Sequence, residues 1–350
     1  MAKSASATGI FPHADEPLLH GGDLDAARRL FPDAPARPFL DLSTGINPNP
    51  YPLSDFGGEA FARLPEASAI ARLTATAATA YGAPSAAHVV AAPGTQILAA
   101  LVAALLPPGR AAILSPTYAE HARVAALAGH NVRHVRDLGA TGDATLVIVT
   151  NPNNPDGRIT ARDDLLAAAA DLRRRGGLLV VDEAFMEVGP ERASLAADVV
   201  RGNIVVLRSF GKFFGLAGLR LGFALLDPAL AARFAAALGP WPVSGPALAV
   251  GAKALADTEW IARTRRELAQ AARRLDAILT AAELEIAGGT ALFRLTRSRA
   301  AGALFRHLGR SGIFVRSFPD DPALLRFGLP GSEPDWERLQ AAIAGDWRSG

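Results

Sequence analysis

The sequence predicts an α/β fold, with a large domain that has a mostly parallel sheet between helices and a smaller α+β domain after it. Between residues 89 and 226, short apolar runs alternate with helical stretches. Strands that are apolar throughout are typical of parallel sheets covered on both faces. Polar motifs follow several of these runs, and α/β proteins bind their ligands where such strands end.

The composition is that of a globular protein with room for two domains. Its 350 residues are 50% hydrophobic and 20% charged, with a formal net charge of +2. The absence of cysteine excludes disulfides, thiolate catalysis and cysteine-ligated metals. Positive charge is spread along the chain, so we expect no nucleic-acid partner. No segment has the pattern of a signal peptide or a membrane span, so we expect a cytoplasmic protein without a membrane partner.

The chain before the sheet is predicted to have little regular structure. Residues 1–19 are small and polar, and three prolines in five residues make 43–52 a rigid extended loop. The regular elements predicted here are a helix at Leu24–Leu30 capped by Asp23 and a helix over 57–82.

The main sheet follows, and a second domain comes after it. The predicted strands of the sheet are 89–92, 111–114, 146–149, 178–181, 204–207 and 221–226, with helices at 95–106, 118–128 and 161–175. The predicted second domain has a long helix over 247–282 broken near Asp257, strands at 291–295, 313–315 and 324–327, and helices at 299–310 and from 334. We predict an arm at 1–40 that joins the small domain, a large domain at 41–240 and a small domain at 241–350.

The stretch 204–222 carries the strongest signal for chemistry. Lys212 stands among glycines after an apolar run, with Ser209 before it and Arg220 after it. The chain has 36 lysines and arginines together, but only three are lysines. Arginine stays charged in proteins, whereas a desolvated lysine can become a neutral amine and form a Schiff base. We therefore predict a turn that presents Lys212; the alternative is an exposed charge in a glycine-rich turn.

The other motifs contain what pyridoxal phosphate would need beside such a lysine. A phosphate is held by N–H groups at a helix start, by hydroxyls and by a guanidinium. The ring nitrogen needs a carboxylate, the ring oxygen a neutral donor, and the ring face an aromatic side chain. The candidates for the phosphate are Gly94, Thr95, Ser209 and Arg220. Asp182 is the candidate for the ring nitrogen, Asn154 for the ring oxygen and Tyr118 for the ring face.

Each motif also has a purely structural interpretation when taken alone. Gly94 and Thr95 can simply start a helix, Asp182 can cap one, and Tyr118 can be a core aromatic. No G-x-S-x-G elbow of a serine hydrolase is present. The histidines interpreted as core or surface residues, because they lack metal-site spacing, are His121, His130 and His134.

Three motifs in this order resemble the type I fold of pyridoxal-phosphate enzymes, near the histidinol-phosphate aminotransferases. They are N-P-N-N-P-x-G at 151–157, D-E-A-F at 182–185 and S-F-G-K-F-F-G-L-A-G-L-R-L-G at 209–222. Within that group the chain is most similar to the decarboxylases of L-threonine O-3-phosphate in cobalamin biosynthesis. The features that carry this are H-G-G at 20–22, L-S-x-x-I-N-P at 42–48, P-T-Y-x-E at 116–120 and Phe185.

The resemblance implies a role for each matching residue. Lys212 holds the cofactor covalently, Asp182 pairs with the ring nitrogen, Asn154 donates to the ring oxygen and Tyr118 stacks on the ring. The implied phosphate ligands are Gly94, Thr95, Ser209 and Arg220, with Tyr51 reaching in from the partner subunit of a homodimer. The implied substrate residues are Arg326 for the α-carboxylate, Arg316 and His20 for the phosphate end, and Gly21 and Asn47.

Two departures bear on the reaction that is expected. Phe185 stands where such aminotransferases usually carry tyrosine, and Gly45 stands where the decarboxylases often have asparagine. The resemblance implies decarboxylation of L-threonine O-3-phosphate to (R)-1-amino-2-propanol O-phosphate, without a metal. The alternatives are a histidinol-phosphate-type aminotransferase and a non-catalytic protein of the same fold.

Overall fold

The computed structural model describes residues 20–35, 37–53 and 58–348, so residues 1–19 of the predicted arm lie outside the described residues. The strands are β1 Leu40–Leu42, β2 Val89–Ala92, β3 Arg110–Leu114, β4 Asn131–Val135, β5 Leu146–Thr150, β6 Leu178–Asp182, β7 Ile204–Ser209, β8 Gly222–Leu225, β9 Glu285–Thr290, β10 Phe293–Arg297, β11 Ile313–Ser317 and β12 Leu324–Gly328. The helices are α1 Leu24–Leu30, α2 Glu59–Ala62, α3 Ala67–Tyr81, α4 Thr95–Leu105, α5 Glu120–Leu127, α6 Arg162–Arg174, α7 Phe210–Phe213, α8 Pro228–Leu238, α9 Gly245–Ala256, α10 Thr258–Ala281, α11 Ala301–Arg310 and α12 Glu333–Ala344.

A seven-stranded sheet forms the centre of the larger unit, in the order β2-β8-β7-β6-β5-β3-β4. Every residue of β5 and β6 is buried, because helices cover both faces. One apolar cluster packs α4, α5 and α8 against the sheet, and another packs α3, α6 and α9 against its opposite face. This confirms the predicted α/β fold with a mostly parallel sheet.

Strand β8 is the one antiparallel member of this sheet in the described part of the chain, since it pairs antiparallel with both β2 and β7. It therefore begins at the edge where its neighbours end. Arg220, which precedes β8, and Ser209, which ends β7, consequently lie at the same edge of the sheet.

A second sheet has the order β1-β11-β12-β10-β9. Leu40 pairs with Ile313, so β1, at the predicted boundary between residues 40 and 41, pairs with a strand from the far end of the chain. The proline-rich loop then leaves this sheet and reaches the segment that follows β7. Asn47 N–H donates to the Lys212 carbonyl at 2.9 Å. The chain therefore connects the two sheets beside Lys212.

Some predicted elements differ from those observed. The helix predicted over 57–82 is two helices, α2 and α3, because Pro65 between them cannot continue an interior helical hydrogen-bond pattern. The turn predicted around Lys212 contains a short helix, α7. Strand β4 was not predicted, because its mixed sequence N-V-R-H-V lacks the apolar pattern of a buried strand. No helix in the described ranges has the length and apolarity to cross a membrane.

Candidate active site

The start of α4 and the start of β8 form a narrow cradle. Gly94 is the N-cap of α4 with φ of +90°, and Thr95 is the first helical residue. A Cβ on Gly222 would lie 2.7 Å from the Thr95 nitrogen, and a Cβ on Gly94 would lie 2.7 Å from a terminal nitrogen of Arg220. The backbone contact at Gly222 excludes a side chain there, and the positive φ of Gly94 favours glycine at that position. The helix-start N–H groups and the Arg220 guanidinium face one space, which suits a phosphate.

Lys212 lies beside this cradle, in α7, directly after β7. Its Nζ makes no hydrogen bond or ion pair with the residues that the structure describes. Burial, aided by the Arg326 guanidinium and opposed by the Asp182 carboxylate, lowers the pKa of Lys212 to about 8. An appreciable fraction of the amine is therefore neutral near physiological pH, which is the form that attacks an aldehyde.

Asp182, the last residue of β6, is held by two donors. Oδ1 accepts a hydrogen bond from the Ala184 N–H at 3.0 Å, and Oδ2 lies 2.9 Å from Nε2 of His121. An ionised carboxylate only accepts, so Nε2 of His121 carries the proton. Both side chains are buried. His121 is thus a core histidine, as interpreted, with a contact to the site that the sequence did not assign.

Arg326 reaches from β12 to the opposite sheet. Its Nη1 donates to Asn154 Oδ1, its Nη2 donates to the Ser43 carbonyl at 2.7 Å, and its Nε has no partner in the described structure. Its guanidinium lies 5.1 Å from the centre of the Phe293 ring. Burial, with the nearby Arg316, lowers the pKa of Arg326 to about 9. Because Arg326 occupies Asn154 Oδ1, the Asn154 amide group Nδ2 is left to donate to a ligand.

Tyr118 stands just before α5, between two histidines. Its ring centre is 5.5 Å from that of His121 and 6.0 Å from that of His20. The hydroxyl donates to Gln96 Oε1 at 3.3 Å. Burial, with the Glu120 carboxylate, raises the pKa of Tyr118 to about 12, so the hydroxyl stays protonated at neutral pH. The stacking of this ring on a cofactor stays a prediction.

Arg316 and His20 lie near Tyr118. Arg316 in β11 lies opposite Arg326 in the neighbouring antiparallel strand β12. Burial lowers the pKa of Arg316. It has no ion-pair partner in the described part of the chain and lies over the Phe318 ring at 5.6 Å. His20 is half exposed and contacts Glu120. The Arg316 guanidinium is therefore available to bind an anion, and the His20 ring lies beside Tyr118.

Gly21 and Asn47, predicted to bind substrate, contact the protein backbone here. A Cβ on Gly21 would overlap the Ser43 carbonyl. The Asn47 side chain donates to the Phe213 carbonyl at 2.9 Å and accepts from the Asn49 N–H. These contacts fix the loop beside Lys212. A direct contact of either residue with substrate stays a prediction.

Tyr51 is buried within its own chain. Its hydroxyl donates to Asp257 Oδ2 at 3.1 Å, and its ring lies 5.0 Å from Trp260. Burial and the Asp257 carboxylate raise the pKa of Tyr51. The contact with a cofactor of the partner subunit that we predicted for Tyr51 stays a prediction.

Phe185 and Gly45 form one wall of the site with Phe293. The two phenylalanine rings meet edge to face at 5.1 Å. A Cβ on Gly45 would lie 2.9 Å from the Phe293 ring and 3.0 Å from the Phe185 ring. The two departures noted in the sequence are therefore coupled, because the phenylalanines fill the space that a larger residue at 45 would need.

The donors that remain unused fit pyridoxal phosphate. Thr95 Oγ1, Ser209 Oγ, Asn154 Nδ2 and Lys212 Nζ make no hydrogen bond within the described residues. Thr95 comes from the start of α4, Asn154 from the loop after β5, and Ser209 and Lys212 from the segment that also contains Arg220. Electrostatic interaction of Lys212 with Asp182, Arg220 and Arg326 places these charges in one neighbourhood.

Comparison with known proteins identifies the family. The model of the family "Aminotransferase class I and II" matches residues 60–343. The chain belongs to this aminotransferase family. It is 44% identical to the threonine-phosphate decarboxylase of Pseudomonas aeruginosa over 94% of this chain and 98% of that protein. Identity to the threonine-phosphate decarboxylase of a Sinorhizobium species is 43%, with the same coverage.

Family members of known structure share the fold. The crystal structure of the histidinol-phosphate aminotransferase from Sinorhizobium meliloti, in complex with pyridoxal-5'-phosphate, superposes with a TM-score of 0.78. It is 22% identical and covers 99% of this chain and 100% of that chain. The resemblance stated from the motifs is thus confirmed at the level of family and fold.

Sequence reasoning missed two parts of this family site. One is His121, and its signal was its position three residues after Tyr118, in the turn where α5 begins, which brings the two rings to 5.5 Å. The other is the pair of Gln96 and Glu120, which joins Tyr118 to His20. Glu120 was noted as part of a motif, but the motif gave it no contact.

Proposed function

We propose that this protein is a pyridoxal-phosphate enzyme that decarboxylates L-threonine O-3-phosphate, giving (R)-1-amino-2-propanol O-phosphate and carbon dioxide. The observation that carries this is the set of cations beside Lys212. Arg326 can bind one anionic group, and Arg316 with His20 can bind a second. An amino acid with a carboxylate and a distant phosphate has that charge pattern. The nearly full-length similarity to threonine-phosphate decarboxylases supports the same substrate, and their activity is a step of cobalamin biosynthesis.

The cofactor would be held by residues from five segments. We assign its phosphate to the α4 start, Ser209 and Arg220, its ring nitrogen to Asp182 and its ring face to Tyr118. When bound, pyridoxal phosphate supplies an aldehyde that bonds to amines and a ring that accepts the electron pair released at the substrate α-carbon. His121 and the Ala184 N–H would keep the Asp182 carboxylate fixed beside that ring nitrogen.

The chain's own residues then orient the substrate and move one proton. Arg326 binds the α-carboxylate and sets the bond that breaks, while Arg316 and His20 hold the phosphate end. The phenylalanine wall excludes water from the side of the site next to Arg326. After carbon dioxide leaves, Lys212 Nζ is the group placed to protonate the α-carbon. Phe185 supplies no hydroxyl at the position where the aminotransferases usually carry tyrosine.

A histidinol-phosphate-type aminotransferase is the second candidate. A solved structure with which the chain superposes has that activity by name, and the two reactions share the cofactor. Transamination breaks the Cα–H bond instead of the bond to the carboxylate. The phenylalanine wall and the cationic grip near Arg326 favour decarboxylation over this alternative.

We also propose a homodimer, in which Tyr51 approaches the partner's site. Phe61 lies in α2, which packs against α9, and 73% of its surface is exposed. Leu64, just after α2, is 65% exposed. Trp241, shortly before α9, is 55% exposed. Large apolar side chains exposed together are typical of a subunit interface.

The proposed function is tested by supplying L-threonine O-3-phosphate to the holoenzyme and measuring carbon dioxide and amine. We expect stoichiometric release of carbon dioxide without added 2-oxoglutarate, and no release by Lys212→Ala, which should also lose the visible absorbance of the bound cofactor. Formation of glutamate from histidinol phosphate and 2-oxoglutarate, with no carbon dioxide from threonine phosphate, would support the aminotransferase. A wild-type protein that shows no cofactor absorbance and no turnover would support a non-catalytic role.

A further inference from the structure

Glu120 joins three side chains at the edge of the site. Its Oε1 lies 3.2 Å from Nε2 of His20, and its Oε2 accepts from Gln96 Nε2 at 2.6 Å and from Arg123 at 3.2 Å. Gln96 in turn accepts from the Tyr118 hydroxyl. The Glu120 side chain is 8% exposed, whereas that of His20 is 43% exposed. A nearly buried carboxylate therefore holds an accessible imidazole.

The contact fixes which nitrogen of His20 is available. An ionised carboxylate only accepts hydrogen bonds, so Nε2 of His20 donates to Glu120. Nδ1 is then the ring nitrogen left for a ligand, and it donates to a phosphate oxygen when the imidazole carries both protons. Without Glu120 the exposed ring would be free to rotate, and binding a ligand would have to pay the rotamer entropy that the contact now removes.

The segment after His20 is fixed on its other side as well. Gly22 N–H donates to Ser43 Oγ at 2.8 Å, and the Ser43 carbonyl accepts from Arg326. The segment from His20 to Gly22 therefore spans from Glu120 to the residue that supports Arg326. His20 and Arg316 both lie near Tyr118, since the His20 ring is centred 6.0 Å from the Tyr118 ring and Arg316 interacts electrostatically with the Tyr118 hydroxyl.

We propose that Glu120 is a positioning residue that holds His20 so that its imidazole faces the phosphate end of the substrate. The inference rests on the proposed function for the identity of the substrate. Glu120 would then contribute to recognition of the substrate phosphate, although its own carboxylate would repel an anion. Glu120 acts through His20 and Gln96, and it need not touch the substrate.

The direction in which Glu120→Gln changes the affinity for phosphate distinguishes a positioning role from a purely electrostatic one. Glu120→Gln removes a negative charge from the site, which by Coulomb attraction alone would tighten the binding of a phosphate. Loss of positioning predicts the opposite. Glutamine has one acceptor oxygen where the carboxylate has two, so its NH2 group faces either His20 or the donors of Gln96 and Arg123, and the contacts that hold His20 weaken. We therefore expect KM for L-threonine O-3-phosphate to rise about tenfold or more. We expect kcat and the cofactor absorbance to remain within about twofold of wild type.

The experiment compares Glu120→Gln, His20→Ala and the double variant as holoenzymes. The double variant should bind substrate no more weakly than the worse single variant, because both changes remove one interaction. Arg123→Ala is the matched control: Arg123 also contacts Glu120 but does not contact His20, and its KM should equal that of wild type. Glu120→Asp, which keeps the charge but shortens the reach, should raise KM and serves if Glu120→Gln fails to fold.

Calorimetric titration with inorganic phosphate gives a readout that needs no turnover. If wild type does not act on threonine phosphate, the proposed function fails, and the inference is still tested by a weaker affinity of Glu120→Gln for inorganic phosphate. Tighter or unchanged phosphate binding, additive effects in the double variant, or a loss of kcat without a change in KM would each overturn the positioning role.

Discussion

Lys212 carries an amine that the folded chain surrounds with little water and with other cations. Desolvation disfavours its charged form, and the Arg326 and Arg220 guanidinium groups add to this, while Asp182 partly compensates. Such a lysine destabilises the apoprotein at neutral pH. It is retained because the same environment makes the amine reactive.

We predict that Lys212→Met changes the pH dependence of apoprotein stability. Since the pKa of Lys212 is about 8 in the folded chain and 10.5 in the reference state, the unfolded chain binds more protons between these values. The wild type therefore gains stability as pH rises through this window, whereas the variant does not. Urea denaturation at pH 7 and pH 10 should show the advantage of the variant shrinking by roughly 2 kcal/mol. A constant difference between the two proteins would contradict the lowered pKa.

Arg326 is the second residue whose chemistry can be tested alone. Arg326 donates hydrogen bonds to Asn154 Oδ1 and to the Ser43 carbonyl. Two donors held at this fixed spacing require the planar guanidinium, which lysine lacks. We expect Arg326→Lys to raise KM for the substrate by about tenfold to a hundredfold, the range of one or two charged hydrogen bonds, while the cofactor absorbance persists. Steady-state kinetics with an absorbance spectrum measure both. Loss of the absorbance together with activity would instead indicate that Arg326 mainly holds the cofactor site.

Among the elements, the junction of β8 with α4 shows how the sheet makes a phosphate site. The antiparallel strand β8 brings Gly222 against the first turn of α4, and the residue two places before it, Arg220, faces Gly94. The cradle thus depends on close contact between two backbones.

Gly222→Ala should open this cradle. A Cβ there would meet backbone atoms of Gly94 and Thr95 within 2.8 Å, and overpacking of this kind costs about 1 to 3 kcal/mol. We predict that the dissociation constant of pyridoxal phosphate, from titration of the apoprotein, rises about tenfold or more. Gly218→Ala is the control, because a Cβ at 218 meets nothing within 4 Å. Equal affinities of the two variants would argue against the cradle.

The elements also show what sequence can predict here. Apolar runs separated by helices fix the central sheet, and the edge where parallel strands end then brings Asp182, Asn154 and Lys212 together. The pairing of β1 with β11 and the reach of Arg326 to Ser43 depend on contacts between residues far apart in the chain, which local patterns do not contain. The contact of His121 with Asp182 also joins residues far apart in the chain, and neither residue has a local sequence pattern that predicts it.

For the whole molecule, the site lies where two sheets meet. Arg316 and Arg326 come from the five-stranded sheet, whereas Lys212 and Asp182 come from the seven-stranded one. The loop that contains Asn47 runs between them. Substrate recognition therefore requires both sheets to keep their relative position.

At this scale we predict that Phe61→Asp disrupts the proposed homodimer. A charge within an apolar interface is costly because it loses its hydration, so the variant should sediment as a monomer at concentrations where the wild type is a dimer. Val200→Asp, at another position that is 57% exposed, should leave the sedimentation unchanged. A wild type that sediments as a monomer would refute the dimer itself.

The account as a whole is tested most directly with L-threonine O-3-phosphate labelled with ¹³C in its carboxylate, in deuterated buffer with and without 2-oxoglutarate. The account predicts that all of the label leaves as carbon dioxide or bicarbonate at equal rates in both conditions, and that the amine product gains one deuterium at the former α-carbon. Label retained in a keto acid, formed only when 2-oxoglutarate is present, would contradict it.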